Sequence, residues 1–375
     1  MNNNSALRVS KKRGRNAVIK SFGRGMNSRL DSAILPIDVA EFAYNYQFNS
    51  GVLKDGFGVT FSKLIDRNPI DGQVLAVWIF NQRVPEQKTF CMLASKEGDV
   101  YQRELNSSDD FVLIEGIQLT SRPLSLTYRL NGDDVMIITS PTDGMFVWDG
   151  VKQAQKIESV PLILSMTVHF ERLFVTTADY PDAVWFSQDL DPTNFGTDIN
   201  EGGFIELIDE RGAPLTALSY QNYVFIFREF GITKLTAFGA QEDFTASNLF
   251  VSSGRIYSRT VALCGDSVMF LASDGLYAFD GLVTQRILDN ITKLILPSPN
   301  ATAIFSEGKY YLSLLMQFGD CEQIGCENAQ YCNNALIVVD IHTGQYSISR
   351  GFDIVDMVFV QQSNQVLGIM NDGSV

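Results

Sequence analysis

Apolar and polar residues alternate in short blocks along almost the whole chain. Runs of five to eight apolar and β-branched residues end in clusters of Gly, Asp, Asn and Pro, the pattern of strands joined by tight turns. Helical periodicity is nearly absent. It predicts only a short helix at 38–44, after Leu35-Pro36, and another at 284–294, where Leu288, Ile291 and Leu294 stand at helical spacing.

The blocks recur as a unit: an apolar strand, a polar turn, and a second, often aromatic strand. Val135–Thr139 leads through Asp143-Gly144 to Met145–Trp148 and Asp149-Gly150; Val268–Ala272 leads through Asp274-Gly275 to Leu276–Phe279 and Asp280-Gly281. Similar units start at Met92, Leu173, Tyr223 and Tyr310, and a seventh, Val366–Met370, meets Asn371-Asp372-Gly373. Their spacing leaves room for one four-stranded sheet each. The expected fold is all-β: a β-propeller of six or seven antiparallel blades, with β-sandwiches as the alternative. The expected domains are a basic arm at 1–30 and a propeller at 31–375. The last unit has no second strand, so either a strand near 51–61 returns to close the ring or the natural chain continues past Val375.

Charge adds a second feature. Residues 1–30 hold eight Lys or Arg and no Asp or Glu, which leaves 21 basic and 43 acidic residues and a net charge of −22 for the rest. Such a body repels phosphate and is no groove-wrapping nucleic-acid binder. In the arm, Arg8, Lys11, Lys12, Arg13, Arg15 and Lys20 are candidate assembly contacts, against the simpler reading of a solvated tail. No stretch has the ~20 apolar residues a membrane helix needs. The opening lacks the apolar core of a secretory signal, so synthesis in a cytoplasm is expected. Five cysteines fit reduced thiols better than a disulfide framework.

Candidate chemistry is sparse, and no catalytic, metal or cofactor residue is assigned. His169 and His342 are the only histidines, and no phosphate loop, nucleophile elbow or paired-histidine motif appears. Cys321, Cys326 and Cys332 are spaced too widely for a zinc knuckle and read as an exposed loop, with a disulfide or a metal as lesser alternatives. The stretch 188–201, with Asp189, Asp191, Asn194, Asp198 and Glu201, superficially resembles a calcium loop, but Asn194 and Asn200 stand where an EF-hand needs Gly and Glu. Tyr180, Phe195 and Phe230 fall at strand ends, where aromatics either stack on sugars or join the core.

Three stretches carry a resemblance. They are Gly25-Met26-Asn27 with Leu35-Pro36, Phe42–Asn45 and Gly51–Gly56; then Ala183–Ser187 with Asp191–Phe195 and Val224–Gly231; then Ser273–Gly281. In this order the chain resembles the phage packaged-DNA stabilisation and tail-nozzle (tail hub) propeller proteins. It departs from them near residue 55, where the family more often has Arg-Pro-Gly, and it is shorter than many of them. The resemblance implies a virion structural protein with no catalytic residues, a subunit of a portal-proximal tail or connector ring of six copies. Such a ring extends the DNA conduit and helps retain packaged DNA, with portal, adaptor and tail subunits as partners and transient, sequence-independent duplex DNA in its lumen. The alternative is a propeller-type lectin or receptor-recognition module on a virion or cell surface.

Overall fold

The computed structural model describes residues 25–49, 52–56, 58–70, 73–198, 201–318 and 332–375. It is a six-bladed β-propeller arrangement with a two-stranded hairpin set between the last blade and the first. After a small hairpin, β1 (Tyr46–Asn49) and β2 (Val52–Asp55), blade 1 runs β3 (Val74–Gln82), β4 (Lys88–Ser95), β5 (Asp99–Glu104) and β6 (Val112–Gln118). Blade 2 is β7 (Leu124–Leu130), β8 (Asp133–Ser140), β9 (Gly144–Trp148) and β10 (Gln155–Ile157). Blade 3 is β11 (Ile163–His169), β12 (Arg172–Thr177), β13 (Ala183–Phe186) and β14 (Gly203–Glu206). Blade 4 is β15 (Pro214–Tyr220), β16 (Tyr223–Arg228), β17 (Gly231–Thr236) and β18 (Thr245–Val251). Blade 5 is β19 (Ala262–Cys264), β20 (Ser267–Ala272), β21 (Gly275–Phe279) and β22 (Thr284–Ile287). Blade 6 is β23 (Thr302–Ser306), β24 (Lys309–Leu314), β25 (Ala335–Asp340) and β26 (Tyr346–Arg350), and the closing hairpin is β27 (Ile354–Val360) and β28 (Gln365–Met370).

Every pairing within the blades is antiparallel, and the first strands of neighbouring blades touch around the axis. Burial follows radial position. The second strands are enclosed on both faces by adjacent blades: in β12, β16 and β20 every residue after the first is buried. Outermost strands such as β14 and β18 have no buried residue. The core is therefore a series of layers between blades; one packs Phe225, Phe227, Phe270 and Phe279 edge to face at 5.0–6.3 Å.

The Asp-Gly turns repeat one device. After the third strand of blades 2 and 5, Asp149 Oδ1 accepts the backbone N–H groups of Val151 and Lys152 at 2.9 and 2.8 Å, and Asp280 Oδ1 accepts those of Leu282 and Val283 at 2.9 and 2.8 Å. Gly150 and Gly281 follow at φ +86° and +98°, a region that favours glycine.

Three expectations differ from what forms. Residues 38–44 make no helix: Ala40 donates to Gly25 O at 2.9 Å and accepts from Asn27 N at 2.8 Å, so its backbone is used in a bridge to the N-terminal segment. The segment 284–294 begins as β22, the fourth strand of blade 5, and Leu288 at φ +56° ends it before a 3-10 turn at Thr292–Leu294. Residues 51–61, read as the strand that closes the ring, instead contribute β2 to a hairpin whose other strand meets the outer edge of blade 6 through Tyr46 and Ile348. The hairpin β27–β28 pairs with no further strand among the described residues.

Candidate functional site

The innermost strands carry small polar residues at alternate positions. Ser165 Oγ accepts the Ala217 N–H at 3.1 Å, Thr167 Oγ1 accepts the Ser219 N–H at 3.1 Å, and His169 Nδ1 lies 2.9 Å from Ser219 Oγ. Side chains of β11 thereby ladder onto the backbone of β15 across the blade boundary. His169 belongs to this ladder: it is buried, and burial lowers its pKa, so the neutral imidazole is the folded form. Its Nε2 meets no hydrogen-bond partner, which makes it a packing residue with one satisfied nitrogen.

Where the chain passes between blades, three charges from distant segments meet. Asp356 on β27 bonds Arg259 at 3.0 Å and Arg122 at 3.5 Å, and Arg122 also donates to the carbonyls of Val355 at 2.6 Å and Leu75 at 3.3 Å. Burial, and then the neighbouring Arg259 charge, lower the Arg122 pKa to about 10. Arg122 stays charged at neutral pH, and the two guanidinium groups share one carboxylate. A second ionic tie lies between blades 3 and 4. Arg228 is fully buried and donates to Gly212 O at 2.8 Å, Leu207 O at 2.6 Å and the Asp209 carboxylate at 2.9 Å.

The outer surface offers contact chemistry of another kind. Trp185 lies between Tyr180 and Phe204, with ring centroids 5.1 and 4.9 Å away. The two flanking rings are about half exposed, while the Trp185 indole N–H is buried and has no partner. On the face formed by the turns after the first and third strands, Val151, Phe170, Leu190, Phe238 and Leu282 are all exposed, and Phe170 meets Phe238 edge to face at 5.4 Å.

The residues singled out from the sequence fare unevenly. Arg8, Lys11, Lys12, Arg13, Arg15 and Lys20 lie outside the described residues, as do Cys321 and Cys326. Cys332 is disulfide-bonded, its partner lying outside the described residues, while Cys91 and Cys264 are free and buried. The expectation of reduced thiols is therefore corrected at Cys332. In the acidic loop Asp191 turns onto its own neighbours, accepting from Thr193 N and Oγ1 at 2.9 and 2.6 Å, and Asn194 caps Gly196 at 2.8 Å, so these oxygens shape a turn. Of the aromatic tips, Phe195 is core, whereas Tyr180 and Phe230 reach the surface. Among the described residues no group of three His, Cys, Asp or Glu side chains could hold a metal ion. No helix among them is long and apolar enough to cross a membrane.

Arg122, Arg259 and Asp356 carry no signal in the sequence: they are scattered over 235 positions, and no local spacing marks them. Trp185 and Phe204 were readable only as strand residues, because the stack forms when β13 pairs with β14.

No family model and no curated protein matches this chain. Similar solved structures include the computationally designed Ika8 protein, with 13% identity over 80% of this chain and 94% of that one at a TM-score of 0.48. They also include BBS1N in complex with ARL6DN, with 10% identity, 80% and 90% coverage and a TM-score of 0.48. A third is the Pan2 WD40 domain of Neurospora crassa, with 7% identity, 81% and 87% coverage and a TM-score of 0.48.

Proposed function

We propose that this chain is a structural subunit of a phage virion, one copy in a portal-proximal tail or connector ring that extends the DNA conduit and helps retain packaged DNA. The observation that carries this reading is the partition of charge. A −22 body offers duplex phosphates a repelling wall, and an arm with eight cations and no anion offers an assembly contact. The resemblance in 25–56, 183–231 and 273–281 supports the same assignment and supplies the expectation of six copies. In this reading the conduit is the lumen of the ring and not the axis of one propeller, because a propeller's own channel is filled by side chains. The basic arm docks on an acidic face of a portal or adaptor subunit. Synthesis takes place in the host cytoplasm and residence is in the particle. Deleting residues 1–20 tests this reading: loss of the subunit from purified particles is expected, and normal incorporation overturns it.

A second reading, a propeller-type binding module for glycans or a receptor, is supported by the Tyr180, Trp185 and Phe204 stack. Aromatic platforms suit the apolar face of a sugar. A glycan-array signal that disappears in Trp185→Ala, from a protein that stays monomeric, would favour it over the virion subunit.

A further inference from the structure

In blades 2 to 6 a two-residue turn joins the first strand to the second. Blade 2 turns at Asn131-Gly132, with φ +52° and +96°, blade 4 at Gln221-Asn222, with +49° and +63°, and blade 6 at Glu307-Gly308, with +47° and +71°. Blade 5 turns at Gly265-Asp266, with Gly265 at +66°. Left-handed backbone in such a turn matches the twist of the paired strands and favours Gly and Asn, and each of these four turns has at least one of them. Blade 3 has neither: its turn is Phe170-Glu171, at φ +45° and +68°. A bulky residue held in that region costs stability, and nothing in the hairpin itself asks for Phe and Glu there.

The same turn breaks the repeat at the seam it meets. Gln82 donates to Asp149 O at 2.8 Å between blades 1 and 2, and Gln221 donates to Asp280 O at 3.2 Å between blades 4 and 5. In both, a polar side chain at the end of a first strand closes on the turn after the next blade's third strand. Between blades 3 and 4 that place is taken by Phe170 and Phe238, which are 46% and 70% exposed, with the His169 ring 4.3 Å from that of Phe170. Leu190, in the turn after the third strand of blade 3, is exposed on the same face.

The surroundings are acidic. Residues 170–171, 187–198 and 237–244 contain Glu171, Asp189, Asp191, Asp198, Glu242 and Asp243 and no Lys or Arg. Tyr128 donates to Glu171 O, and burial, then Asp189, Glu171 and Asp191, push its hydroxyl up to about 12, so these three carboxylates share one neighbourhood. The adjoining cation, Arg172, is held by the blade: it donates to Ser187 O at 3.0 Å and Glu201 O at 3.4 Å and lies over the rings of Phe186 and Phe244.

We propose that the Phe170 and Phe238 pair with its acidic rim is a docking site for a basic peptide segment of another protein, one that sets an aliphatic or aromatic side chain among Lys and Arg. The rings take the apolar anchor and the carboxylates take the cations. A second copy's −22 body is repelled by the same rim. The site is separate from the Trp185 stack, because Tyr180 lies in the turn after a second strand, at the other face.

The test pans mRNA-displayed random peptides against the full chain and measures a fluorescein-labelled copy of the most enriched sequence by anisotropy. Enrichment of Lys and Arg together with Phe, Leu, Ile or Trp is expected, with affinity that falls as salt rises. Phe238→Ser is expected to weaken binding at least about tenfold. The double variant Phe170→Asn, Glu171→Gly gives blade 3 the turn sequence of blade 2, and it is expected to weaken binding as much while Tm holds or rises, which a damaged fold would not do. Peptides without a basic bias, binding that both variants retain, or a loss of binding matched by a fall in Tm overturns the proposal. So does a wild-type dimer in sedimentation velocity that Phe238→Ser disperses, which would assign the pair to a second copy.

Discussion

Replacing Arg228 with methionine removes the only fully buried cation among the described residues and with it the tie between blades 3 and 4. The carbonyls of Leu207 and Gly212 each lose a charge-assisted donor, at about 1–3 kcal/mol apiece if they stay dry. Asp209 fares better, because its side chain is 24% exposed and keeps the Arg211 N–H at 2.9 Å and Asn248 at 3.1 Å. The expected cost is about 3–5 kcal/mol, the range for breaking a buried pair. At ~2.1 cal/mol/K per residue over 375 residues, that lowers Tm by about 4–6 °C. The burial asymmetry makes a sharper claim. Asp209→Asn strands the guanidinium in a dry site, so it costs at least as much as Arg228→Met, and the double variant costs less than the sum of the two. Urea denaturation of the three proteins, followed by tryptophan fluorescence, measures all of this. A cost for Arg228→Met below about 1 kcal/mol, or a milder Asp209→Asn, refutes the reasoning.

Other predictions follow from the same contacts. Burial pushes the carboxyls of Asp209 and Asp134 upward, but their hydrogen bonds, those from Arg211 N and Arg228 and those from Arg129 and Arg83 N, outweigh it and hold both below the usual range. Their contribution is present above the unfolded value of about 4 and is lost as pH falls through the lowered folded values, so acid titration of stability should steepen below pH ~4, less so in Arg228→Met. His169 has a folded pKa below its unfolded ~6.5, so the unfolded chain binds the extra proton and stability declines as pH falls below that value; His169→Gln should flatten this part of the profile. Gly116 sits at φ +82°, with a Cβ placed 2.3 Å from Ala154 O, next to the 2.9 Å bond from Ala154 N to Glu115 O that joins blades 1 and 2. Gly116→Val should cost at least about 2 kcal/mol in the same denaturation assay. Asp356→Asn unpairs Arg259 and Arg122, and hydrogen exchange in β27 should rise while that in β12 stays unchanged.

The repeat was legible because the strands that announce it are the second and third of each blade. Val135–Thr139 and Val268–Ala272 are buried on both faces and read as continuous apolar runs, and Asp-Gly turns bound them. First strands were less visible, since β11 and β15 line the axis with Ser, Thr and partly exposed residues. Fourth strands were nearly invisible: Thr284–Ile287 is short and wholly unburied, and its backbone pairing, absent from any pattern, decided against the helix that Leu288, Ile291 and Leu294 suggested. The candidate sites were harder still. Trp185 stacks with Phe204 only through strand pairing, and Asp356 meets Arg122 and Arg259 only when the ring closes.

Ring closure here relies on side chains where other propellers can use a shared blade. The β27–β28 hairpin lacks half the backbone ladder of a full blade, and the deficit is met at its ends. Ser313 and Asn333 donate to Ile354 O at 2.8 and 2.7 Å, Arg122 holds Val355 O, and Lys96 reaches Asn371 O at 3.1 Å. At the far turn, Gln362 bonds Asn81 at 2.6 Å. These bonds come from blade 6 on one side and from blade 1 and its linker on the other, so the hairpin is fixed in place without an outer strand.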